Sequence, residues 1–364
     1  MKVQSVQISK AFYLIFGYYH TIMSKNVLLT GGPGFIGHQA VKKLLKETDW
    51  QITVIDRLSY AGDLNRIEEV ILEVGEKSRK RLEFIFFDLK SPFNEQIIKK
   101  LGNINYIVHI GASSHVNRSV EDPSLFIQDN IVGTFNLLEA ARKFEQLELF
   151  YYFSTDEVFG PSDKDTKFQE WDRYNSKNPY AATKAAGEEL TIAFSNTYSI
   201  PALISHCCNV YGERQHFEKF IPNTIKKVLN GEKVIIHTDE NNVPGSRYYL
   251  HNEDLAETIL FLLNNYEMVM SESEKNFNKK PAKVNITGNS LVSNLEVVQK
   301  VESMLNKEVE HLLINNDPER PGHDIKYGLD NSFLKQIGGE YDRGFESGME
   351  QTVSWFLNNK KWLQ

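Results

Sequence analysis

The chain has 364 residues, 41% of them hydrophobic and 24% charged, with a formal net charge of -7. That length holds two packed domains of ordinary globular composition, and a mildly acidic sequence without a basic stripe argues against a nucleic-acid partner. No apolar run approaches the roughly 18 residues of a membrane span; the two cysteines, Cys207 and Cys208, are neighbours without zinc spacing and point to a reducing, cytoplasmic setting.

Residues 1–22 place Lys2 and Lys10 ahead of an apolar, aromatic run from Ala11 to Tyr19. A short signal-peptide core has this composition, but no small-residue cleavage site follows it. Met23-Ser24-Lys25 stands immediately before a buried-strand pattern, so the favoured reading is an extension, or an upstream start, with no part in the chemistry.

Asn26-Val27-Leu28-Leu29-Thr30 predicts a buried parallel strand that runs straight into glycines. Ile36, Ala40, Val41, Leu44 and Leu45 then keep helical spacing as far as Glu47. Between the two, Gly31, Gly34 and Gly37, with Phe35 and Ile36 among them, permit a tight turn and close backbone approach to a pyrophosphate. The second strand, 51–56, ends in Asp56, where a carboxylate holds the adenosine ribose hydroxyls of NAD and repels a 2′-phosphate. Arg57 beside it would suit NADP; the acid makes NAD the favoured cofactor. The third strand, 82–88, delivers Asp88 and Leu89 as further cofactor candidates, Asp88 being either a contact to the adenine edge or a strand-terminal turn residue.

Strands at 106–110 and 149–154, with a helical pattern over 125–143, continue the alternation. Gly111, Ala112 and Ser113 are small enough for the chain to pass close to the cofactor. The alternation predicts an α/β fold with a doubly wound parallel Rossmann sheet over 23–205. Past residue 205, helical stretches at 218–230, 252–266 and 293–306 alternate with short strands at 233–237, 284–287 and 309–314. They predict a smaller α+β substrate domain over 206–364, partly interleaved with the first. Residues 271–280, polar and charged, read as a solvated loop.

The chemistry lies in Ser154-Thr155-Asp156-Glu157 and in Tyr180-Ala181-Ala182-Thr183-Lys184. An isolated Asp-Glu after a strand is usually a turn or an N-cap, and a lone Tyr-x-x-x-Lys is usually surface decoration. At strand ends of a dinucleotide fold the combination means more. Tyr180 and Lys184 share one helix face a turn apart. The ammonium can therefore stabilise a phenolate that otherwise forms near ~10, giving a base for a sugar hydroxyl. Two adjacent carboxyls add an acid and a second base, because like charges resist ionising together. The implied reaction is sugar oxidation followed by elimination of water.

With Ser114-His115-Val116-Asn117-Arg118-Ser119, Asn209-Val210-Tyr211-Gly212, Glu218-Lys219-Phe220-Ile221-Pro222 and Arg320-Pro321-Gly322-His323-Asp324, these segments resemble the nucleotide-sugar 4,6-dehydratases of the extended short-chain dehydrogenase/reductase superfamily. The resemblance runs from about Lys25 to the C-terminal end. Thr155-Asp156-Glu157 looks like the glucose dehydratases, whereas related epimerases carry small residues after the Ser or Thr and uronate decarboxylases resemble Thr-Ser-Glu.

The resemblance implies that Tyr180, with Lys184, deprotonates the sugar 4-hydroxyl while carbon 4 passes hydride to NAD. It further implies that Glu157 takes the carbon 5 proton, Asp156 protonates the departing 6-hydroxyl, and Thr155 positions the substrate hydroxyl or Tyr180. On the substrate side it implies His115 facing the hexose, Asn209 and Arg247 on the diphosphate, and Asn285, Arg320 and His323 in the nucleotide pocket. dTDP-glucose is the implied substrate, with UDP-glucose as the alternative, and a homodimer built on the helices at 121–143 and 178–197 is implied as well. Ser114, His206, Cys208 and residues 244–249 depart from the family pattern, which bears on the nucleotide and sugar rather than on the reaction.

Overall fold

A computed structural model describes residues 24–162, 166–315 and 326–364. Arg320, His323 and the 1–22 extension lie outside the described residues. The first six strands are β1 (Asn26–Thr30), β2 (Gln51–Asp56), β3 (Leu82–Phe86), β4 (Tyr106–His109), β5 (Leu149–Thr155) and β6 (Ala202–Cys207). They are followed by β7 (Asn209–Tyr211), β8 (Val234–Thr238), β9 (Ser246–His251), β10 (Ala282–Ile286), β11 (Leu291–Ser293) and β12 (His311–Asn315).

Seven strands form one parallel sheet in the order β10-β6-β5-β4-β1-β2-β3. The order reverses between β1 and β4, so the crossovers leave a crevice at the carboxyl ends of those strands. Burial explains the continuous apolar runs: β5 is buried at all seven positions because helices cover both faces. Side chains alternate between two cores. Val27, Leu29, Val108, Tyr151 and Leu203 pack on one face, while Leu28, Ile107, Phe150, Tyr152 and Ile204 pack on the other. The fold is the doubly wound α/β sheet that the alternation predicts.

Beyond β6 a third core joins the helices Phe220–Asn230, Asn294–Leu305 and Phe345–Asn358 through Ile225, Val298, Met349 and Phe356. It covers a three-stranded sheet, β11-β9-β7, and a β12-β8 pair.

Two elements differ from the sequence-based expectation. The polar stretch at 271–280 is mostly helix, Tyr266–Phe277, held by the buried Val269 and Ser273 and by Phe277 against Phe333. Its apolar stripe is short and widely spaced, so composition alone conceals it. The helix expected over 125–143 is interrupted by a π-turn, Ile127–Val132. There the buried Asn130 accepts the Ser113 amide at 2.8 Å and donates to Ser113 O at 3.0 Å and Thr183 Oγ1 at 2.9 Å. These bonds to two other segments repay the irregular turn, a common arrangement beside functional sites.

Candidate active site

A cleft of about 310 Å³ opens at the carboxyl ends of the central strands. Its walls include Gly31, Gly34, Phe35, Ile36, Gly37, Asp56, Asp88 and Leu89 from one half of the expected site. They also include His115, Thr155, Asp156, Glu157, Tyr180, Lys184 and Asn209 from the other. Segments separated by up to two hundred residues of sequence thus meet on one surface.

The glycine turn is built around one carbonyl. Gly34 N donates to Gly31 O at 3.0 Å, and a Cβ on Gly37 would lie 2.0 Å from that oxygen. Gly31 itself has φ +77° and passes so close to Gly111 that a Cβ would meet its Cα at 2.7 Å. Glycine is therefore required at these positions, because the chain's own backbone fills the place of each Cβ; the resulting tight turn lets the backbone approach a pyrophosphate closely.

Asp56 sits at the end of β2 and accepts the Leu58 amide at 2.6 Å. Arg57, which sequence alone leaves open toward NADP, is held by Asp88 at 3.3 Å and Asp129 at 2.5 Å. A guanidinium engaged by two carboxylates is not offered to a 2′-phosphate, and the three acids together oppose one. The residues present fit NAD.

At the end of β5, Thr155 faces the cleft and caps a single turn, Asp156–Phe159, through a contact from Glu157 N at 3.4 Å. Thr155 Oγ1 also donates to Asp156 Oδ1 at 3.3 Å. Asp156 is 5% exposed. Burial, reinforced by the neighbouring Glu157 carboxylate and only partly opposed by Arg247, pushes its carboxyl up to about 8. The Asp156 carboxyl is thus a proton carrier at neutral pH.

Glu157 accepts a hydrogen bond from Asn178 Nδ2 at 3.0 Å. Asn178 in turn caps the helix Pro179–Tyr198 by accepting the Ala181 amide at 2.8 Å. One residue therefore fixes both the start of the helix bearing Tyr180 and the orientation of the Glu157 carboxylate. Asn178-Pro179 is a legible N-cap signal; what it left unread was the second bond.

Tyr180 and Lys184 both face the cleft from that helix, as their spacing requires. The Lys184 ammonium donates to Phe153 O at 2.6 Å and lies 4.2 Å from the Tyr152 ring centroid. The expected lowering of the phenol is not what this arrangement produces. Burial first, then the Glu157 charge, pushes Tyr180 upward, and a hydrogen bond from Thr155 only partly offsets them. Burial likewise pushes Lys184 down to about 7. The phenol needs further positive charge before it becomes a base, which the oxidised nicotinamide ring of NAD would supply when bound.

On the substrate side, His115 and Asn209 line the cleft. Arg247, in β9, donates to Ser246 O at 2.9 Å and stacks 4.8 Å from Tyr327, outside the cleft wall, with its charge reaching Asp156. Asn285 is not brought to the cleft at all. It is 0% exposed in β10, donates to Phe168 O at 2.8 Å and Asp330 O at 3.0 Å, and faces His206 Nδ1 at 2.9 Å. Its amide is consumed in joining three segments.

Residues 59–62, Cys207, Gln215, His216, Glu218 and Lys219 complete the wall without having been assigned a role from sequence. Both cysteines are free and buried. Among the described residues, no cluster of three or more His, Cys, Asp or Glu is arranged to hold a metal, and no helix is long and apolar enough to cross a membrane.

The family model for GDP-mannose 4,6 dehydratase matches residues 28–352. A dTDP-glucose 4,6-dehydratase of Neisseria meningitidis is 33% identical over 93% of this chain and 95% of its own. Among solved structures, a Streptomyces venezuelae dTDP-glucose 4,6-dehydratase with NAD and TYD bound superposes with a TM-score of 0.79 at 27% identity, covering 93% of this chain and 99% of that one. A Thermus thermophilus UDP-glucose 4-epimerase with NAD superposes at 0.75 and 25% identity, covering 91% and 99%. A match that begins within β1 and ends within the helix Phe345–Asn358, over a cleft of this construction, makes the chain a member of the GDP-mannose 4,6 dehydratase family.

Proposed function

We propose that the chain is an NAD-dependent nucleotide-sugar 4,6-dehydratase, a hydro-lyase that converts dTDP-glucose into dTDP-4-keto-6-deoxyglucose and water. The observation that carries this reading is the acidic pair beside the phenol: Asp156, with its carboxyl at about 8, adjoins Glu157, whose charge reaches Tyr180. Oxidation and epimerisation at carbon 4 need a single acid–base group, whereas elimination across carbons 5 and 6 needs an acid and a base besides.

The cofactor is NAD, which when bound accepts a hydride from carbon 4 of the sugar and returns it to carbon 6. Tyr180 takes the 4-hydroxyl proton, held in place by Thr155. Lys184 keeps a positive charge behind Tyr180 from its seat on Phe153 O. The 4-ketone acidifies the carbon 5 proton, and Glu157, oriented by Asn178, removes it. Asp156 donates its proton to the departing 6-hydroxyl, which leaves as water. Return of the Glu157 proton to carbon 5 completes the 4-keto-6-deoxy product.

His115 faces the hexose, and Asn209, with Arg247 behind it, serves the diphosphate. Arg320 and His323 are assigned to the nucleotide by resemblance. The portion beyond β6 holds the nucleotide sugar, while the portion before it holds NAD. The enzyme acts as a cytoplasmic homodimer; its exposed Leu125, Ile127, Phe135 and Tyr198 lie on the helical segments expected to pair.

Incubation with dTDP-glucose and catalytic NAD, followed by the alkaline absorbance and mass of the product, tests the reading. Loss of one water from the sugar supports it. A product of unchanged mass would instead assign the chain to the 4-epimerases, which share the fold, and parallel incubation with UDP-glucose decides the base. No turnover of either nucleotide sugar overturns it.

A further inference from the structure

The densest buried charge outside the reacting groups lies one helical turn beyond Lys184. Glu188 is 0% exposed. Its carboxylate accepts hydrogen bonds from the Ser154 hydroxyl of β5, the Tyr174 hydroxyl, and His206 Nε2 of β6 at 3.0 Å. Lys283 Nζ of β10 stands 3.6 Å away and itself donates to the Tyr174 hydroxyl. Three sheet strands, the Tyr174 loop and one helix therefore converge on a single carboxylate. A buried carboxylate so surrounded stays ionised: burial works against it, but His206 and Lys283 overcome that and hold it down to about 2.

Two consequences reach the site. Ser154 immediately precedes Thr155-Asp156-Glu157, and Glu188 shares its helix with Tyr180 and Lys184. The Ser154–Glu188 bond thus ties the strand carrying the carboxyl pair to the helix carrying the phenol. Charge is the second link. Lys184 and Glu188 lie four residues apart on one helix, neighbours with about 5–6 Å between Cβ atoms, and the Glu188 charge favours the Lys184 ammonium in a region where water screens it little.

The other titratable groups on elements packed against this helix are otherwise engaged. His109 of β4 is held neutral, down to about 3, by burial and by Lys184. Tyr152 of β5 and Cys207 of β6 are pushed upward by burial and stay protonated. Asp129 is paired with Arg57, Arg118 with Glu218 and Glu139 with Arg142, and Glu121 is exposed. Asp156 and Glu157 adjoin Tyr180. Lys184 itself, 4% exposed, is pushed down by burial and raised in turn by the Glu188 charge, while its ammonium donates to Phe153 O.

We propose that Glu188 is a positioning residue for the reaction, its buried carboxylate locking the Tyr180–Lys184 helix to the Thr155-Asp156-Glu157 strand and favouring the charged form of Lys184. The catalytic part of this inference rests on the dehydratase reading given above; the electrostatic part does not.

The test is Glu188→Gln in the full chain, with the protonation of Lys184 followed through ¹³Cε-labelled lysine and its resonance assigned by its loss in Lys184→Arg. An opposite charge at this range shifts a neighbour by roughly 1–3 pH units. The Lys184 midpoint therefore falls by about one unit or more in Glu188→Gln. The alkaline limb of kcat for dTDP-glucose moves down with it, costing roughly fivefold at pH 7 for a one-unit fall, while KM is little changed. Tyr174→Phe, which keeps the carboxylate, leaves the midpoint near the wild-type value.

Lys283→Met removes a competing cation and moves the midpoint upward, so the inference stays testable where Glu188→Gln does not fold. An unmoved midpoint in folded Glu188→Gln, or a downward one in Lys283→Met, overturns it. The resonance needs no sugar. A wild-type chain that turns over no nucleotide sugar, yet shows these shifts, sinks the dehydratase reading and leaves the Glu188–Lys184 coupling standing.

Discussion

Asp156→Asn separates catalysis from stability at one atom. The wild-type carboxyl titrates at about 8 against an ordinary 3.8 because burial and the Glu157 charge disfavour its ionised form. Its folded value exceeds its unfolded value, so its contribution favours folding below the ordinary value and is lost as pH rises toward 8. Each pH unit between the two is worth about 1.4 kcal/mol. At neutral pH, about three units above 3.8, ionising the unfolded chain costs the fold roughly 4 kcal/mol, as an upper figure.

Asparagine has the same shape and no proton to give. It removes that penalty and still offers an oxygen to the Thr155 hydroxyl. The expected result is a protein more stable than wild type by a few kcal/mol at pH 7–8, with the gain gone near pH 4. Elimination slows by about 10²–10⁴-fold, while oxidation of carbon 4 persists and reduced nicotinamide accumulates in single turnover. Denaturant unfolding across pH, paired with rapid-quench product analysis, measures both effects. Wild-type elimination also falls above pH 8, a limb the variant lacks. A variant with wild-type product formation, or with no pH-dependent stability gain, refutes the assignment of Asp156 as a buried proton donor.

Other substitutions probe separate parts of the cleft. Tyr180→Phe removes the carbon 4 base and abolishes the nicotinamide absorbance change, by about 10²-fold or more, in stopped flow; a normal transient would exclude Tyr180. Glu157→Gln leaves that transient intact and blocks solvent-deuterium exchange at carbon 5, read by NMR of recovered substrate. Gly37→Ala drives a methyl group into Gly31 O and weakens NAD binding by at least tenfold in fluorescence titration; unchanged affinity would mean the turn does not hold the pyrophosphate. Asp56→Ala narrows the preference for NAD over NADP, and Asp56→Ala with Asp129→Ala narrows it further by releasing Arg57 from one of its two carboxylates.

The local signals were legible because each depends on a few adjacent residues. Gly34 and Gly37 are dictated by one carbonyl and Gly31 by the close approach of Gly111, Asp56 by the end of a strand, and the Tyr180–Lys184 pair by helical period. Asn285 came from the family resemblance alone, which carries no information on local packing; here its amide bonds carbonyls at 168 and 330 instead of facing the cleft. Lys184 was readable as a partner of Tyr180, but not its anchorage to Phe153 or its neighbour Glu188. The helix at 266–277 was hidden by a surface that is mostly polar.

The sequence by itself determined the sheet, the glycine turn and the side chains proposed for the chemistry, because period and spacing act over a turn or a strand. Only the tertiary structure decided their protonation. Asp156 holds its proton, Tyr180 resists losing one and Lys184 sits close to neutrality, because burial and charge are set by groups brought together from distant parts of the chain.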